Sequence, residues 1–104
     1  MISQDRMEKA LVYLATTDDE AAELQANMER LKYKAKAVYD ALVAHGSGGL
    51  GDREARAGCA QEYMDAMDAY FAAVAGFNKV RNKRHTEELV IDVFRTLEAS
   101  RRRA

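Results

Sequence analysis

Few side chains in this 104-residue chain could do chemistry. It has one cysteine, Cys59, and two histidines, His45 and His85, well separated along the sequence. A nucleophile or a metal site needs such groups to converge. Cys59 instead reads as a small buried hydrophobe, and His45 as a cap on the carbonyls that end a helix. The acids Glu62, Asp65 and Asp68 share one helical stripe and could in principle hold a cation. They lack the Glu-x-x-His pairing of di-iron bundles, and opposing lysines would repel a metal. The loop Gly46-Ser47-Gly48-Gly49-Leu50-Gly51-Asp52 has no Gly-Lys-Ser/Thr ending and no strand before it, so it reads as a turn rather than a phosphate cradle. The expectation is a non-enzyme with no catalytic, cofactor-binding or metal site.

Two basic segments could bind phosphate. Lys79, Arg81, Lys83 and Arg84, followed by His85, contain no acid, and Arg101, Arg102 and Arg103 close the last helix. Contacts from such groups to a nucleic-acid backbone are independent of base sequence and weaken with salt. The competing readings are a solvated charge run and, for the arginine tail, compensation of a helix dipole.

The elements that must carry these residues are helical. The chain has no proline and is rich in Ala, Glu, Leu, Lys, Arg and Met, all good helix formers. Glycines at 46, 48, 49 and 51 break it once, with Gly46 suited to a left-handed C-cap and Asp52 to an N-cap. Thr17-Asp18-Asp19-Glu20 has the form of a capping box, which predicts a short helix over about 4–15 before a long one over 18–45. A glycine turn over 46–51 follows, then a helix over about 52–100. The polar run from Asn78 to Glu88 marks a kink, or a restart with Thr86 as N-cap. The whole is read as one domain, 1–104.

Apolar residues in the first long helix fall at Ala21, Leu24, Met28, Leu31, Ala35, Val38 and Leu42, in alternating steps of three and four. Ala60, Tyr63, Met67, Tyr70, Val74 and Phe77 repeat the pattern in the second. Such a repeat is the seam of a coiled-coil-like pair. An antiparallel register setting Val38 against Ala60, Leu31 against Met67 and Ala21 against Phe77 centres the turn at Gly49, inside the glycine loop. The predicted fold is therefore all-α, an antiparallel helical hairpin. In that register Arg30, Lys32, Lys34 and Lys36 lie across from Glu62, Asp65 and Asp68, and the basic run 79–84 lies opposite Asp18, Asp19 and Glu20. Exposed pairs of this kind add only about 0–1 kcal/mol each, but they penalise wrong registers.

Composition narrows the class. A net charge of -1 excludes a globally basic nucleic-acid binder, and a single cysteine excludes a disulfide framework. No apolar run is long enough to span a bilayer, and the N-terminus lacks a signal-peptide layout. The expected setting is cytoplasmic.

Apolar residues remain beyond the seam. Tyr33, Tyr39, Met64 and Phe71 lie beside it, either as a broadened core face or as a protein-binding face. Leu89, Val90, Val93, Phe94 and Leu97 form a second stripe that Met7, Leu11 and Leu14 can cover only in part. Each buried Leu or Phe contributes roughly 1.5–3 kcal/mol. A homo-oligomer, most simply a dimer closing a helical bundle, is expected, with Met64, Phe71, Leu89, Val90, Val93, Phe94 and Leu97 at the interface.

Finally, Asp52-Arg53-Glu54-Ala55-Arg56-Ala57, Glu62-Tyr63, the segment Asn78 to Arg84 and Ile91-Asp92-Val93-Phe94-Arg95-Thr96-Leu97-Glu98-Ala99 resemble a loosely defined set of small helical proteins of tailed phages and prophages. The resemblance covers about half the chain. It implies a cytoplasmic accessory protein in the host cell, acting near replication or recombination, and supplies no site residue. Two functions are consistent with it. One is an oligomeric accessory protein contacting DNA backbone or replication and recombination proteins. The other is a protein-only adaptor or inhibitor that masks a phage or host protein.

Overall fold

The computed structural model describes residues Met1–Arg103; Ala104, the last residue of the expected domain, lies outside the described residues. Three helices account for nearly all of it: α1 over Gln4–His45, α2 over Leu50–Cys59 and α3 over Gln61–Arg103. The fold is all-α, with no strand among the described residues, and α1 packs against α3 as a helical hairpin. Two compact units are distinguished: Met1–Glu23 with the residues from Asn78 onward, and Leu24–Phe77.

α1 begins where Ser3 accepts a hydrogen bond from the Arg6 backbone N–H at 3.1 Å, a side-chain cap on the first turn. It then runs unbroken for 42 residues, so the separate short helix expected over 4–15 does not exist. The capping-box reading fails for a local reason. The Thr16 and Thr17 hydroxyls donate back to the carbonyls of Val12 and Tyr13, at 2.8 and 2.6 Å, which keeps both residues in helix interior. The same device removes the break expected near 78–86: Thr86 donates to the Asn82 carbonyl at 3.1 Å, and α3 is continuous through it.

The seam is longer than its apolar residues suggest. In α1 the three-four repeat extends back through Thr17, Leu14, Ala10 and Met7, every position buried or half-buried. In α3 it passes from Phe77 to Val80, Arg84, Glu87, Ile91, Phe94 and Glu98. Two successive steps of three, Val74 to Phe77 to Val80, shift its phase, which is how a coiled-coil repeat absorbs a local discontinuity.

The turn departs from expectation. The left-handed residue is Gly48 (φ 93°), not Gly46. Gly46 is needed for closeness: a Cβ there would lie 3.1 Å from the Leu42 carbonyl oxygen and 3.2 Å from the Arg53 side chain. Gly49 rather than Asp52 is the N-cap of α2, and Asp52 sits in its first turn. Two arginines of α2 hold the loop: Arg53 donates to the Val43 carbonyl at 3.3 Å, and Arg56 donates to the Ser47 carbonyl. The Val43 carbonyl is one that the end of α1 leaves without an α-helical partner, and the Ser47 carbonyl belongs to the loop itself. The helix expected from about 52 is interrupted at Ala60, whose extended backbone (φ -68°, ψ 138°) ends α2. Its carbonyl then accepts from the Met64 N–H at 3.0 Å to start α3. Ala60 is therefore a corner rather than a helix-interior seam residue. Cys59, expected buried, is exposed at the end of α2.

Candidate functional site

Among the described residues no group of three His, Cys, Asp or Glu side chains is placed to hold a metal ion. No helix among them is long and apolar enough to cross a membrane.

The basic segments divide between structure and surface. Arg84 turns inward. Its Nη1 donates to the Leu14 carbonyl at 2.9 Å and to the Thr17 hydroxyl at 2.7 Å, and its Nη2 lies 3.2 Å from an Asp18 carboxylate oxygen. Only 17% of its side chain is exposed, so it fastens α3 to α1. The Lys83 ammonium sits 4.7 Å from the centre of the Tyr13 ring, a cation–π distance. Arg101 pairs with Glu98 at 3.1 Å. Lys79, Arg81, Arg102 and Arg103 are exposed, the last two in the final turn of α3 where positive charge complements the helix dipole.

The first basic run behaves differently from the register's expectation. Lys36 pairs with Asp40 on its own helix at 2.9 Å, and that hydrogen bond raises its pKa. Asp65 accepts from Gln61, also on its own helix, at 2.7 Å. Among the described residues no ion pair links Lys32, Lys34 or Lys36 to Glu62, Asp65 or Asp68.

A polar pair that sequence reading passed over lies between α1 and α3. Arg6 Nη2 donates to Glu87 Oε1 at 2.9 Å, while Nη1 lies 2.7 Å from the buried Oε2, outside hydrogen-bond geometry. The hydrogen bond from Arg6 holds the Glu87 carboxyl below its ordinary value against the opposing effect of burial, with the charges of Arg6 and Lys83 adding to it. In return Glu87 raises the Arg6 pKa. The signal for this pair was positional: Glu87 falls on the three-four repeat, four residues before Ile91.

The apolar surface is the dominant feature. Among the described residues the buried apolar ones are Ala10, Ala35, Ala57 and Ile91, and none of the large side chains is fully enclosed. Of the expected interface residues, Met64, Phe71, Leu89, Val93 and Leu97 are exposed and Val90 and Phe94 half-buried. Phe94 lines a cleft with Met1, Ile2, Ser3 and Gln4, so it belongs partly to the hairpin's own packing. Tyr33 is 70% exposed, whereas Tyr39 turns toward α3, its ring 5.3 Å from that of Tyr63.

Within residues 24–77 these side chains form a groove of about 250 Å³, lined by Lys32, Ala35, Lys36 and Tyr39 of α1 and Tyr63, Met67 and Tyr70 of α3. Phe71 stands beside it, its ring 5.6 Å from that of Tyr70, and the residue is 57% exposed.

No protein-family model, curated protein or solved structure matches this chain.

Proposed function

We propose that this chain is a non-enzymatic helical protein that works as an oligomer through protein contacts, the kind of cytoplasmic phage accessory protein its sequence resemblance implies. One observation carries the reading: among the described residues of the hairpin, no large apolar side chain is fully enclosed. The chain exposes 7476 Å², whereas a folded monomer of 11.6 kDa exposes roughly 5,800 Å². The excess, roughly 1,600 Å², is surface that packing against further chains could hide. Among the described residues only three alanines and one isoleucine are buried outright, and the larger apolar side chains of the seam stay half-exposed, so much of the hydrophobic stabilisation open to them is unrealised in a lone hairpin. Packing against further helices is the general remedy for such a hairpin. If folding is linked to association, the thermal midpoint rises with protein concentration. A midpoint unchanged between about 1 and 100 μM would count against the reading.

Contact with a DNA backbone is the second reading, favoured by the exposure of Arg102 and Arg103 at the end of α3. It rests on fewer groups than the sequence offers, because Lys83, Arg84 and Arg101 have partners within the chain. An oligomer would multiply the tails. A mobility-shift titration with single- and double-stranded DNA at two salt concentrations tests it. Binding that weakens steeply with salt supports this reading, and no binding at low salt removes it.

A further inference from the structure

We propose that the aromatic groove of residues 24–77 is the surface by which two copies of this chain pair about a two-fold axis. Met64 and Phe71 of each copy cover the other's groove, and Lys32 of one lies opposite Asp68 of the other. The inference rests on the oligomeric reading above and assigns it a surface.

Three observations converge on a second copy as the occupant. The first is that the groove and the side chains able to fill it sit together on one face. Tyr39, Tyr63, Met67 and Tyr70 line the groove, while Met64, Asp68 and Phe71 share the adjoining stripe of α3 at i, i+4 and i+7. A two-fold contact needs such self-complementarity, because each patch meets its own image. Met64 is 49% exposed, so both apolar residues of that stripe have surface to bury.

The second observation is charge order. The α1 edge of the groove carries Lys32 and Lys36, and the stripe on α3 carries Asp68. Lys32 and Asp68 have no ion-pair partner among the described residues. Setting α1 of one copy over α3 of the other brings both Lys32–Asp68 pairs together, whereas α1 over α1 would oppose lysine to lysine. The charges therefore select one of the two ways of stacking the hairpins. An unrelated partner would have to match an apolar groove with a basic edge and an acidic edge; a second copy already does.

The third is area. Met64 and Phe71 of this face, 49% and 57% exposed, contribute to the surplus surface that a second copy can hide. Tyrosines and methionine supply the contact types enriched at interface centres.

The test is sedimentation velocity on the full chain at micromolar concentration, with helix content followed by circular dichroism. The variants are Phe71→Glu, Lys32→Glu, Asp68→Lys, the double variant K32E/D68K, and Val93→Glu as a control away from the groove. Wild type and Val93→Glu should sediment as dimers. Phe71→Glu should dissociate, and each single charge reversal should weaken the dimer by about tenfold or more. The double variant should recover most of that loss, which a merely misfolded protein would not do. A dimer untouched by Phe71→Glu and by both reversals, or one that only Val93→Glu dissociates, overturns this surface and leaves the oligomeric reading standing. A monomeric wild type overturns both.

Discussion

Arg84 and Thr17 lie 67 residues apart in sequence, yet the guanidinium donates to the threonine hydroxyl at 2.7 Å. The same Thr17 hydroxyl donates to the Tyr13 carbonyl. One side chain thus holds α1 continuous through Thr17 and receives the arginine that fastens α3. A residue with the local signature of a helix start serves as a helix-interior anchor.

Removing that arginine should be costly. Arg84→Leu loses three polar contacts, and hydrogen bonds involving a charged group are worth about 1.5–3 kcal/mol each at most. A net destabilisation of about 1–3 kcal/mol is expected from urea unfolding, within the range of single buried-network mutations. Arg84→Lys keeps the charge but not the fork that reaches Leu14, Thr17 and Asp18, and should recover less than half of the loss. An unchanged midpoint in Arg84→Leu would refute the anchor.

The Arg6–Glu87 pair predicts an acid-sensitive component of stability. The folded Glu87 carboxyl is held below its unfolded value of about 4.3, chiefly by the Arg6 hydrogen bond. Above that value the pair contributes fully; as pH falls through the lowered folded value, both states bind the proton and the contribution disappears. Thermal midpoints from about pH 6 downward should therefore fall less steeply in Glu87→Gln than in wild type. Parallel slopes would show that the pair is not linked to folding.

The loop makes a backbone prediction. Gly48 adopts a φ of 93° and a Cβ there would meet an Arg56 nitrogen at 3.2 Å. Gly48→Ala should cost about 1–2 kcal/mol in urea unfolding. Gly51→Ala, inside α2 where a Cβ would meet nothing within 4 Å, is the contrasting control and should not destabilise.

Cys59 gives a direct chemical check on the corner at Ala60. An uninterrupted second helix would place it within the buried stretch, while the break leaves it exposed. A thiol reagent should therefore label Cys59 stoichiometrically in native buffer. Labelling only after denaturant is added would contradict the corner.

How far the sequence was legible follows from these residues. The apolar three-four repeats of Ala21 to Leu42 and Tyr63 to Phe77 are visible because hydrophobicity marks them, and both helices and their antiparallel pairing follow. The continuation of the seam is hidden because its positions include Thr17, Arg84, Glu87 and Glu98, polar residues: Thr17 and Arg84 bond to each other and to backbone, Glu87 pairs with Arg6, and Glu98 pairs with Arg101. Thr17 and Thr86 misled because threonine both caps helices and bonds back within them, and only tertiary context decides. Ala60 gave no signal at all, since alanine is the strongest helix former and a weak cap. The groove is hidden in the sequence because spacing sets Tyr39 beside the seam, whereas its ring leans onto Tyr63.

The central claim is that the hairpin is incomplete alone. Light scattering coupled to size exclusion, on the wild-type chain at micromolar concentration, tests it most directly. The expected mass is at least twice 11.6 kDa, with a cooperative unfolding transition under the same conditions. A mass of one chain, still cooperatively folded, would contradict it.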